Sequence, residues 1–257
     1  MFVIGLLVFF PRDIYKKDVS KLYHTLKKQL PFIIIIIGVV IFHVLEVNII
    51  DPIVTDWVGI DFASKLQVIE NGFVIKLAQQ HWIPSLVMFF VTIYIIVYLF
   101  ILWFTPLYFL VADEEKSMKT LSYGLLLTYT IALPFYLILP ITNVYTYYGI
   151  QSPLNMMMPG VEDFFYMTTT QNNCLPSLHV AMVLLIARST SFTKNKLYSY
   201  FVYTLAMAVI ISVIYLAIHW ILDVVSGITL ALSVQIILKK TVFSKKSFEP
   251  LINREKG

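Results

Sequence analysis

The sequence predicts an all-α, polytopic membrane protein: six transmembrane helices with additional amphipathic helices lying in the membrane interface. Three observations carry that reading. Of 257 residues, 59% are hydrophobic and only 13% charged, with a mean hydropathy of +0.81, a balance that excludes an ordinary soluble domain. The apolar residues come in blocks of roughly 20, the length a helix needs to cross a hydrocarbon layer about 30 Å thick. The basic residues gather in alternate connections between those blocks. The single cysteine, Cys174, excludes an internal disulfide and a Cys-rich metal cluster. The net charge of +4 is therefore read as membrane topology, not as a nucleic-acid surface.

In chain order, the apolar start Met1–Phe10 is too short to span and is expected to be an interfacial or re-entrant anchor. Without a basic leader or small-residue cleavage site it does not read as a cleaved signal peptide. Arg12–Lys28 carries six basic residues among Ile14, Tyr15, Leu22, Tyr23 and Leu26, the pattern of a basic amphipathic helix on an anionic surface or of a solvated linker. Six spans are expected at 31–50, 82–103 (extending toward 111), 120–142, 176–193, 198–218 and 219–238. The chain thus divides into an N-terminal anchor and basic segment (1–30), a six-helix membrane domain (31–238) and a basic tail (239–257). Seventeen of the 19 Lys and Arg fall before the first span, in 112–119, in 188–197 or after 238, leaving only Lys65 and Lys76 on the other side. The charge rule then predicts a multi-pass cell-membrane protein with both termini in the cytoplasm and segments 51–81 and 143–175 outside. The first of these has amphipathic spacing. The second is rich in Tyr, Phe and Met, including Met156, Met157 and Met158, and suits either a lid over a lipid site or plain interfacial anchoring.

Ionisable groups inside spans are costly and so are candidates for function. His219 and Asp223 are spaced i, i+4, which on a helix places imidazole and carboxylate on one face; the carboxylate would fix the ring tautomer and leave the other nitrogen a better nucleophile. A hydrogen-bonded pair that merely fixes packing is the alternative. Asn172-Asn173-Cys174-Leu175-Pro176-Ser177-Leu178-His179 reads as the opening of a helix with proline at its first position, and a helix N-terminus suits phosphate. By topology both histidines fall at the same membrane face. His43 and Glu46, spaced i, i+3 on the outer half of the first span, are expected to pair structurally or reach the site. Glu70 is expected on a solvated face, and Arg188 at the cytoplasmic end, about 13 Å along the helix from His179. His24 and His81 belong to no evident constellation.

Pro-Ser-Leu-His followed some forty residues later by His-x-x-x-Asp, in a six-span core, resembles the type-2 phosphatidic acid phosphatase (haloperoxidase) superfamily. Within it, the chain is most similar to the inositolphosphotransferase-like branch of inositol phosphorylceramide and sphingomyelin synthases, over roughly 120–238. The resemblance implies His219 as nucleophile, Asp223 as its orienter and His179 as the acid that protonates the leaving oxygen, through a phosphohistidine and without metal or cofactor. Three family features are missing. There is no K-x6-R-P, and Val213 stands where an Arg is usual six residues before the nucleophile; Leu178 replaces the glycine of the common P-S-G-H. Substrate contacts are expected from Pro176, Ser177, Leu178, Asn172, Asn173, Tyr136 and Asn143. Lacking cations for a dianion, the site suits a phosphodiester monoanion. The expected activity is headgroup transfer from a lipid phosphate donor to a small alcohol such as inositol, with no nucleic acid involved. The alternatives are hydrolysis of phosphatidate or a related lipid, with water as acceptor, and a non-catalytic lipid-binding or transport role.

Overall fold

The computed structural model describes residues 2–10, 19–157 and 159–243. Arg12, Lys16 and Lys17 of the expected basic segment, Met158, and the tail beyond 243 lie outside the described residues. Within them the chain is helical, and the only extended pairing is a single parallel bridge between Ile141 and Asn173.

Helix α1 (Phe2–Phe9) is short, and its Phe9 packs on Phe104, Tyr198 and Phe201 while Asn195 Nδ2 donates to its carbonyl. Helix α2 (Val19–Leu45) runs through Pro31, across the boundary expected between the basic segment and the first span, and passes by a π turn at Glu46–Ile50 into α3 (Asp51–Val58). A proline inside an apolar helix is tolerated when neighbouring helices re-satisfy the freed carbonyl. The outer segment 51–81 completes α3 and adds α4 (Ala63–Glu70) and α5 (Phe73–His81). Pro84 opens α6 (Pro84–Val91), which continues through a π turn at Thr92–Val97 into α7 (Tyr98–Ala112). Then come α8 (Glu115–Ile138), the short α9 (Val144–Tyr147), α10 (Pro153–Met157) and α11 (Val161–Tyr166), and finally α12 (Leu178–Thr190), α13 (Lys196–Tyr215) and α14 (Ile221–Thr241).

Five helical stretches among the described residues are long and apolar enough to cross a membrane: 20–58, 84–112, 115–138, 196–215 and 221–241. The sixth expected span, 176–193, is instead the 13-residue α12, about 20 Å long. Its length has a packing reason. Helix α12 is wrapped by α7, α8, α13 and α14, and Val180, Ala181, Val183, Ile186 and Ala187 are fully buried. A helix enclosed by protein need not match the hydrocarbon thickness. It also begins later than expected: Pro176 precedes it, and Ser177 is its N-cap, the side chain accepting from the Val180 N–H.

The connections sort into two ends. At one, Lys28 pairs with Glu115 at 2.6 Å, and the Lys194 N–H donates to Glu114, tying together the start of α2, the α7–α8 turn and the α12–α13 turn. Lys116 and Arg188 also cover Phe192 there. The other end holds α3–α5, α9–α11 and both histidines of the paired motif.

Candidate active site

His219 is not on a helix. It lies in the link between α13, which ends at Tyr215, and α14, which begins at Ile221, so the expected single helical face is corrected. Asp223 occupies the first turn of α14, where one carboxylate oxygen accepts from the Trp220 N–H at 2.9 Å and faces His219 Nδ1 at 3.3 Å. The carboxylate therefore caps the helix and holds the ring with the same oxygen, which is why H-x-x-x-D brings the two together without helical periodicity. Asp223 is fully buried, His219 is 4% exposed, and the second Asp223 oxygen has no hydrogen-bond partner. With Nδ1 engaged, Nε2 is the nitrogen left to act.

The link is strapped from several sides. Trp220 Nε1 donates to the Thr142 carbonyl, the Tyr145 N–H to Ala217, and Trp82 Nε1 to Tyr215. Glu70, expected on a solvated face, accepts from the Leu222 N–H at 2.8 Å at the start of α14; burial raises its carboxyl above the ordinary range, and the backbone donors of Leu222 and Ile221 oppose that rise. Ala217 is held at φ 52°, a left-handed conformation uncommon for a residue with a Cβ.

The α12 N-terminus is seated against the same link. The Ser177 N–H donates to the Asp223 carbonyl at 3.0 Å, and Tyr136 donates to the Pro176 carbonyl at 2.7 Å. Close approach here requires Gly227: a Cβ at that position would lie 2.6 Å from the Ser177 carbonyl oxygen. His179, in the first turn of α12, then sits with its ring 6.2 Å from that of His219, between Tyr94, Tyr98 and Phe165, and with the Tyr94 hydroxyl 3.3 Å from Nδ1.

Both imidazoles line a cavity of about 350 Å³. Along α8 its wall runs from Leu121 to Tyr136, about 22 Å, and Ile36, Leu102, Trp103, His43, Asn143, Thr168 and Asn173 also line it. No Lys or Arg lines it among the described residues. Of the sequence-predicted residues, His179, His219, Leu178, Tyr136, Asn143 and Asn173 border this space, and Asp223 stands behind His219. Pro176 and Ser177 are structural neighbours of the site, their polar atoms used for Tyr136 and for the helix cap. Asn172 is turned away, donating to Thr55. Asn143 caps α9 and donates to Tyr166, whose hydroxyl also bonds Tyr145. Burial pushes both phenols above their ordinary range, so both keep their protons at neutral pH.

Sequence reasoning missed Tyr94 and Tyr98, because no spacing rule links separate segments that meet only in the bundle, whereas Phe165 and Thr168–Thr170 belong to the 143–175 segment that it offered as a lid or an interfacial anchor. It also missed Cys174, whose sulfur, with one donor atom each from His219 and Asp223, forms a group lying within 4.8 Å of one another that could hold a metal ion.

A family model described as the PAP2 superfamily matches residues 69–237. The chain belongs to the PAP2 superfamily. That membership suggests phosphatase or phosphotransferase chemistry on phosphate esters. The matched PAP2 region runs from the end of α4 into α14 and so takes in His179, His219 and Asp223, while α2, which contributes Ile36, Val39 and His43 to the cavity wall, lies outside it. No curated protein and no solved structure matches the chain.

Proposed function

We propose that the protein is an integral membrane phosphotransferase, of the inositolphosphotransferase-like kind, that moves the phosphate-bearing group of a lipid phosphodiester to a small alcohol such as inositol at the outer leaflet. The observation that supports it is the pairing of two imidazoles 6.2 Å apart at the polar end of a long apolar cavity, with a buried carboxylate on the rear nitrogen of one. Phosphate meets the histidines, and an acyl chain lies along α8.

In the first half-reaction His219 Nε2 attacks phosphorus, an N–P bond forms, the P–O bond to the leaving alcohol breaks, and His179 gives that oxygen its proton. In the second, the acceptor oxygen attacks phosphorus, the N–P bond breaks, and the acceptor's proton passes to His179, restoring the starting state. Asp223 holds the ring tautomer and offsets the charge that develops on His219. Asn173, Asn143 and Tyr136 border the phosphate end, and Ser177 caps the helix that carries His179. Neither metal nor cofactor takes part. A cavity wall without Lys or Arg favours a phosphodiester monoanion over a phosphomonoester dianion, and hence transfer over phosphatidate hydrolysis.

Purified protein in mixed vesicles, given phosphatidylcholine with inositol or phosphatidate alone, tests this. The expected result is a headgroup-exchanged product with little free phosphate, absent in His219→Ala. Phosphate release from phosphatidate would make the protein a phosphatase, and inertness toward both would point to a lipid-binding or transport role.

A further inference from the structure

We infer that His43 is a third functional imidazole, held as a cation by Glu46, that supplies the positive charge opposite the substrate phosphate. The inference rests on the phosphodiester reading above and names a group that the paired motif does not contain.

With Glu46 as a carboxylate, proton accounting makes His43 the cation. Tyr129 has one hydroxyl proton, and it goes to the fully buried Glu46 carboxylate at 2.8 Å. The Tyr129 oxygen lies 3.3 Å from His43 Nδ1 and has only acceptor capacity left for it, so Nδ1 carries a proton. His43 Nε2 lies 3.0 Å from the Thr168 carbonyl, which can only accept, so Nε2 carries a proton as well. An imidazole that donates from both nitrogens is an imidazolium. Its counter-charge is in place, since Glu46 lies 3.6 Å from Nδ1 and also accepts from Asn173. This geometry matches a hydrogen-bonded ion pair with a buried carboxylate and a half-buried imidazole better than a neutral packing contact.

His43 borders the same cavity as His179 and His219, in a wall otherwise free of Lys and Arg among the described residues. In so apolar a space one fixed charge acts strongly on a phosphate. The His43–Glu46 pair is neutral as a whole, so a bound phosphodiester leaves this end with one net negative charge and a phosphomonoester with two, and the monoanion is the cheaper to hold there. The cation thus comes from α2, outside the matched family region, in place of the arginine whose position Val213 occupies.

The test measures binding in a His219→Ala background, so that turnover is not needed. A fluorescent short-chain phosphatidylcholine should bind roughly tenfold to a hundredfold more weakly when His43→Gln or Glu46→Gln is added, the range expected for losing one charged hydrogen-bonding partner. Diacylglycerol of the same chain length should bind equally to all variants, and His43→Lys should recover most of the phosphatidylcholine affinity. Equal loss for both lipids, or no loss for either, overturns the inference. If a variant does not fold, ¹⁵N-histidine NMR of the wild-type protein decides. Two protonated ring nitrogens on His43 at neutral pH are expected, and a neutral ring overturns the inference. Failure of wild-type transfer alongside a selective binding effect would instead reject the transferase reading and leave the His43 charge standing.

Discussion

Asp223 does two jobs with one oxygen, and its substitutions separate them. Asp223→Asn keeps an acceptor for the Trp220 N–H but no longer offsets charge on His219 or fixes its tautomer. We predict a fall in kcat of roughly 10²–10⁴-fold with a thermal midpoint close to wild type. Asp223→Ala should lose activity and also stability, by about 1 kcal/mol for the missing cap. Initial rates and thermal melts in detergent distinguish the two, and an Asp223→Asn enzyme within threefold of wild type would rule out the orienting role. The Cys174, His219 and Asp223 grouping makes a second residue-scale prediction. Prolonged chelation should leave transfer unchanged, since the proposed reaction uses His219 as a free nucleophile; loss on chelation with recovery on adding zinc would reassign all three residues as metal ligands.

At the scale of elements, the site exists because α14 and α12 touch at Gly227. Gly227→Ala drives a Cβ against backbone instead of a flexible side chain, and is expected to cost about 1–3 kcal/mol and to spread the two histidines. Its signature is a lowered thermal midpoint together with lost activity, although residue 227 contacts neither imidazole in the proposed reaction. Glu70 gives a pH-dependent prediction. Its folded-state pKa lies above the ordinary 4.5, chiefly through burial, so its protonated form is the one that folding favours. The stability it contributes is complete below pH 4.5 and is lost as pH rises through the elevated value. Melts of wild type from pH 4 to 7 should show that decline, and Glu70→Gln, which keeps an acceptor for the Leu222 N–H, should flatten it.

On the scale of the whole molecule, the proposed orientation predicts that cysteines introduced at Lys65 and Lys194 react with an impermeant maleimide from opposite sides of sealed vesicles, Lys65 from outside. Buried Cys174 should remain silent in the native protein. Labelling of both from one side would overturn the charge-based topology. The all-helical membrane class and the family were legible in the sequence, because hydropathy and charge must satisfy the bilayer locally and the paired motif is compact. Element boundaries near the site were less so. The first span was expected to start only at residue 31, α12 looked like a full span, and His219 looked helical, since each of those outcomes depends on what neighbouring helices cover or satisfy. Residue types and their spacing already set out the groups on offer: two histidines, one carboxylate, and no arginine at the usual place. Their arrangement came from packing, through Asp223 capping α14, Gly227 admitting α12, and α2 with the turn after it bringing His43 and Glu46 beside Tyr129 from more than eighty residues away. Contacts of that kind follow from packing between helices, and no periodicity within one segment encodes them.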